Sequence, residues 1–359
     1  MNCVLRTFDF PSKAQIVPQH SSMRHIVLAF GLHAVQTTPY IATAGLLARH
    51  NLVAVLGAIL VLALCVLIGC YGAQRAMAVS TPSVAPVLDA GDRRAVKYAL
   101  AGLFAIVSSV NWLAHMTTIA RFGPVVGVTV ALASGIVTLW IAQLILKTKR
   151  HKASHLAGLL LATVLVGSAF LVIARARIDL SAFADGFATW DWLKSVAPLL
   201  VMGFGIAVAT VLKAALSDPY EAKLRRFSPF GSLTLVAFEL SAAAVVALAL
   251  NFYLDGFSSM AALAPGSIDP QTWTWEHWGL LWVGVVNTSL GLLVLTRATN
   301  VIGVPIMTTV GQSRPALAEL LQIIFGFATI TVASVSGIVL SCFLLFAASL
   351  VLRPGRHNE

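Results

Sequence analysis

Residues 51–73 read Asn51-Leu-Val-Ala-Val-Leu-Gly-Ala-Ile-Leu-Val-Leu-Ala-Leu-Cys-Val-Leu-Ile-Gly-Cys-Tyr-Gly-Ala73, an unbroken run without a single charge. At 1.5 Å per residue such a run is long enough to cross a hydrocarbon core about 30 Å thick. The rest of the 359-residue chain repeats the pattern, with 58% hydrophobic and 11% charged residues. Soluble domains carry about 25% charged residues, so a chain with this composition could not cover its surface in water. Hydropathy and breaker residues place spans at 25–47, 51–73, 97–118, 122–146, 153–175, 193–216, 229–252, 277–297, 300–326 and 328–351. The expected fold class is an all-α integral membrane protein of ten transmembrane helices.

Loop charges give this count a direction. Eighteen of the 24 Lys and Arg residues fall in segments that share one side if the N-terminus is cytoplasmic. The densest clusters are Arg75/Arg93/Arg94/Lys97, Lys147/Lys149/Arg150/Lys152 and Lys213/Lys223/Arg225/Arg226. Five basic residues fall on the other side (Arg49, Arg121, Arg175, Arg177 and Lys194), and Arg314 lies inside a span. The positive-inside rule then puts both termini in the cytoplasm. It also explains the net charge of +10 without a nucleic-acid partner. Residues 1–24 and 353–359 are expected to be cytoplasmic tails, with Met23 an alternative start. The cysteines Cys3, Cys65, Cys70 and Cys342 have no metal-ligand spacing and imply no disulfide framework. The long outer segments 176–192 and 253–276 carry Trp190, Trp192, Trp273, Trp275 and Trp278 in or beside them, which suits an interfacial belt; a lid over a pore is the other reading.

Helix pairs 3–4 and 8–9 are each joined by almost no loop. Thr118-Ile-Ala-Arg-Phe-Gly-Pro-Val-Val-Gly-Val and Leu295-Thr-Arg-Ala-Thr-Asn-Val-Ile-Gly-Val-Pro share a pattern: an arginine at a helix end, a tight turn, then a Gly/Val/Pro helix start. Two halves of five spans, at 25–175 and 193–352, with 176–192 as the outer connection, would insert in opposite orientations. Many secondary transporters are built as such inverted repeats.

The run 279–352 resembles the last three helices of the drug/metabolite transporter superfamily, EamA-type branch. The resemblance is carried by Gly284-Val-Val-Asn-Thr-Ser-Leu-Gly, Leu295-Thr-Arg-Ala-Thr-Asn-Val-Ile, Gln312-Ser-Arg-Pro-Ala-Leu and Ser334-Val-Ser-Gly-Ile-Val-Leu. Residues 98–146 are similar to the corresponding pair in the first half. Two departures stand out: Ser134-Gly135 replaces an expected proline, and the stretch Phe325 to Thr331 lacks an acidic residue. The resemblance implies a permease or exporter of a small metabolite or drug, in a bacterial cytoplasmic (inner) membrane.

Candidate site residues come from polar groups inside spans, where a charge costs at least about 2.5–3.5 kcal/mol. Three stripes follow helical periodicity: Ser108/Asn111/His115/Thr118, His33/Gln36/Tyr40 and Thr308/Gln312/Pro315/Glu319. Together they suggest the wall of an aqueous cavity for a small-molecule solute. Any single hydroxyl among them is more simply an interhelical hydrogen bond, worth about 0.6 kcal/mol. Arg314 is expected to form a charge site with Glu319 or Glu239, binding the charged end of a substrate or taking part in proton coupling. Arg314 and Glu319 lie about 140° apart on an unbroken helix, so Pro315 is expected to act as a hinge. His115 is a possible proton acceptor, and Asn287 completes the candidate set. No residue is assigned a catalytic role, a metal or a cofactor. HExxH, Walker A and nucleophile-elbow motifs are missing from the sequence. A membrane enzyme or flippase acting on lipid-linked substrates is the alternative reading.

Overall fold

The computed structural model describes residues 23–78, 93–132, 134, 190–216, 229–267, 269–292, 294, 310–311 and 313–351. The expected span at 153–175, most of the outer connection 176–192, and Thr308 and Gln312 lie outside the described residues. Within them all regular structure is helical and no strand occurs.

The helices are α1 (Met23–Leu47), α2 (Leu52–Ala78), α3 (Arg93–Phe122), α4 (Trp190–Leu216), α5 (Pro229–Asp255), α6 (Ser258–Ala261), α7 (Trp275–Leu281), α8 (Arg314–Ile324) and α9 (Val332–Val351). Residues 124–132 are also helical, and a ten-residue π-helix, Trp282–Gly291, continues α7. Among the described residues, three helices are long and apolar enough to cross a membrane: Leu52–Gly72, Ala99–Phe122 and Leu235–Asp255.

The tight turn expected after α3 is a single residue. Gly123 takes φ +84°, its N–H bonds the Ile119 carbonyl at 3.0 Å, and Pro124 opens the next helical run. A left-handed Gly after a helix and a Pro at the start of the next one are both favoured placements. The region expected as one continuous span at 300–326 is different. Val310 and Gly311 are helical, Ser313 is a turn residue, and a new helix begins at Arg314. Pro315 therefore sits in the first turn of α8, where its missing N–H costs nothing, and not in the middle of an unbroken helix. A hydropathy window cannot see this break, because the residues on both sides are apolar.

The chain forms two compact units. One is drawn from Met1–Gly45, Ala114–Ala207 and Arg297–Glu359, the other from Leu46–Leu113 and Val208–Thr296. Neither unit is one half of the sequence; each takes segments from both.

In the second unit α2 packs against α5 and the π-helix, and glycines let the backbones approach. A Cβ at Gly284 would lie 2.9 Å from Leu62 Cβ and 3.1 Å from the Ile59 carbonyl oxygen. At Gly57 it would lie 2.7 Å from Asn251 Nδ2. That amide, buried on α5, donates to the carbonyls of Val53 at 2.8 Å and Ala247 at 2.9 Å. Close backbone approach plus an interhelical amide is how helices associate where water is absent. Phe104, Ala209 and Leu212 form a separate apolar cluster, with Phe104 stacked on Phe238 at 6.3 Å.

Candidate functional site

The first unit gathers polar side chains from α1, the end of α3 and the start of α8. On α1 the stripe His33, Gln36 and Tyr40 is buried, as is Thr37. Pro39 lies inside this helix and has no N–H for the Val35 carbonyl, and the Thr38 hydroxyl donates to that oxygen at 2.7 Å instead. The helix thus carries a proline without leaving that carbonyl unbonded.

Arg314 is the first residue of α8. Its Nη2 donates to the Gln36 carbonyl oxygen at 3.3 Å, and its guanidinium carbon lies 5.5 Å from the centroid of the Tyr40 ring. Tyr40 in turn meets His115 of α3, ring centroids 5.1 Å apart and tilted by 47°. Small residues make room for the cluster. A Cβ at Gly311 would come within 3.3 Å of the His33 ring, and one at Gly127 within 3.6 Å of Tyr40. Of the Gly123/Gly127 pair, Gly127 packs against the site, while Gly123 serves the left-handed turn.

A guanidinium has five N–H donors. Nε of Arg314 is buried and has no hydrogen-bond partner among the described residues. Pinned by an aromatic face and one carbonyl, the group keeps donor capacity for an anion.

The α3 stripe separates from its neighbours in the same way. Helical hydroxyls usually bond back to a carbonyl one turn earlier, and Thr37, Ser109 and Thr129 do so at 2.7–2.8 Å. The stripe members do not. Ser108 Oγ, Asn111 Oδ1 and Thr118 Oγ1 are buried without a hydrogen-bond partner among the described residues. Ser108 and Ser109 are adjacent, and only the one off the stripe bonds to its own helix.

The remaining candidates are dispersed. Glu319 is fully buried on α8 and accepts from Ser334 Oγ of α9 at 2.8 Å. The described contacts of Arg314 and Glu319 thus lead to different partners. Glu239 lies half-buried on α5 in the second unit. Asn287 lies half-buried in the π-helix, next to the buried Thr288 and Ser289. Pi-helical turns are rare and occur often at functional sites. Gln312 lies outside the described residues.

The sequence reading missed a contact in the second unit between the α1–α2 turn and the start of α7. Arg49 Nη1 meets Glu276 Oε1 at 3.1 Å and stacks over Trp275 at 5.1 Å, while His50 Nε2 lies 3.4 Å from Glu276 Oε2. Thr274 and His277 form a capping box that starts α7 there. The 253–276 segment is thus tied at its end to the turn between α1 and α2. A partner 227 positions away leaves no periodic signal.

A comparison with protein families gives no match, and neither does one with curated proteins. A solved structure described only as the crystal structure of a protein is similar in fold. It shares 14% identity, covers 92% of this chain and 97% of its own, and superimposes with a TM-score of 0.52. At that identity the likeness extends to the fold alone.

Proposed function

We propose that the chain is a multi-pass secondary transporter of a small metabolite or drug, working by alternating access through a polar cavity. In this reading ten spans form two inverted five-helix halves with both termini in the cytoplasm, as the resemblance to the EamA-type drug/metabolite transporters implies. The make-up of the compact units supports the repeat. The second unit takes most of the second and third expected spans of the first half, together with their counterparts in the second half.

The observation that carries the reading is Arg314. A cation within an expected span, held by an aromatic ring and a carbonyl and retaining an unbonded Nε, is the chemistry that recognises an anionic group on a solute. The helix restart at the same residue adds backbone N–H groups with a positive dipole end, as the broken helices of transporters do. Stripe hydroxyls that do not bond to their own helix fit a wall facing water or solute.

The experiment is uptake by the full chain in liposomes, tested with a panel of labelled metabolites and drugs with and without a pH gradient. Saturable uptake of at least one anionic solute is expected. Uptake of nothing, alongside conversion of a lipid-linked substrate, would overturn the proposal in favour of a membrane enzyme.

A further inference from the structure

Glu319 is a fully buried acid in the apolar helix α8. One of its bonds leads into a chain of hydroxyls. Ser334 Oγ donates to Glu319 Oε1 at 2.8 Å, and Thr331 Oγ1 lies 2.8 Å from Ser334 Oγ. Thr331 Oγ1 also accepts from the Ser334 backbone N–H at 3.1 Å, and so caps the start of α9.

These bonds fix a direction. A hydroxyl has one proton to donate. When Glu319 is ionised, Ser334 gives its proton to the carboxylate, and the Thr331–Ser334 bond then runs from Thr331 to Ser334. Both hydroxyl protons then point inward to Glu319, and Thr331 keeps a lone pair free for a proton from outside. Thr331 is exposed, in the segment before α9; Ser334 is buried. The cap holds Thr331 in line, since its backbone bond disappears if the hydroxyl turns away.

We infer that Glu319 is a proton-carrying site loaded from the Thr331 surface through Ser334. Its part in transport rests on the proposal above, whereas proton binding itself does not. A proton arriving at Thr331 Oγ1 releases that group's own proton to Ser334 Oγ. Ser334 releases its proton to Glu319 Oε1, and the carboxylate becomes a carboxylic acid. Each hydroxyl ends with one proton, and rotation resets the chain. Both protonation states of Glu319 are bonded, because Ser334 Oγ can donate to the carboxylate or accept from the acid. Helix α9, packed against α8, carries no titratable group other than Cys342; on α8 itself the only other charged group is Arg314. In the N-in arrangement the segment before α9 faces outward, so protons would load from the side where a proton gradient holds them.

The test is infrared difference spectroscopy of the full chain in liposomes, titrated between about pH 4 and pH 9. The wild type should show the C=O band of a carboxylic acid that appears as pH falls and that Glu319→Gln abolishes. Absence of any band removed by that substitution overturns the inference. Thr331→Val should keep the band but slow its exchange with deuterated water about tenfold, the rate effect of losing one hydrogen bond. Thr331→Ser should restore the rate. An unchanged rate in Thr331→Val, or a slow Thr331→Ser, overturns the path. For any solute that accumulates under a pH gradient, Glu319→Gln should abolish the accumulation, and persistence would overturn the coupling role. Wild-type protein that moves no solute at all would remove the transport reading and leave the infrared result to decide the proton site.

Discussion

Replacing Arg314 separates a binding role from a structural one, because the two predict opposite patterns. The native contacts of this side chain are modest. The Gln36 bond, at 3.3 Å, is at the long end of the hydrogen-bond range. The ring contact with Tyr40 at 5.5 Å is worth about 0.5–2 kcal/mol. Arg314→Ala should therefore lower stability by no more than about 2 kcal/mol. A charge-assisted bond from the guanidinium to an anionic solute is worth about 1.5–3 kcal/mol. At 1.4 kcal/mol per decade, its loss raises the half-saturating solute concentration about 10- to 100-fold. Arg314→Lys keeps the charge but not the planar fork and should fall between the two. The assay is initial uptake rate against solute concentration in liposomes of matched protein content, with a thermal melt of each variant in detergent. A variant that melts several degrees lower yet binds solute as tightly as the wild type would refute the reasoning and return Arg314 to a structural role.

The proposed cavity wall can be probed without a substrate: in a chain with its native cysteines replaced, Ser108→Cys and Thr118→Cys should react with a membrane-impermeant thiol reagent, while Ile106→Cys on the exposed apolar side of α3 should not. Equal protection of all three would argue against a water-filled stripe. Asn251→Ala removes one hydrogen bond from α5 to α2 and one within α5, and should cost about 1–3 kcal/mol, read as a lower melting temperature. Glu276→Gln should change stability by less than about 1 kcal/mol, because its partner Arg49 is 61% exposed; the same melt checks it.

Much of the local architecture was legible in the sequence. Runs such as 51–73 and the Gly123-Pro124 junction announce themselves, because hydropathy and backbone chemistry act within a few residues. The burial of His33, Gln36 and Tyr40 on one face of α1 was legible too, since side chains at i, i+3 and i+7 must share a helix face whatever surrounds them. What each member does was not. That Ser109 bonds to its own helix while Ser108 does not depends on what packs opposite. The break before Arg314 had a signal that hydropathy hid: Ser followed two positions later by Pro suits the start of a helix. Partners from elsewhere in the chain stayed out of reach, as with Glu319 and Ser334 or Arg49 and Glu276. Even the π-helical winding of 282–291 has no compositional mark.

The account turns on alternating access by one carrier, and solute counterflow tests that most directly. Liposomes holding the full chain are loaded with an unlabelled solute from the uptake panel and diluted into a trace of the same solute, labelled, with no pH gradient. A carrier accumulates the label transiently above its outside concentration, and Arg314→Ala should weaken that overshoot. Label that merely equilibrates, or fails to enter, would contradict the account.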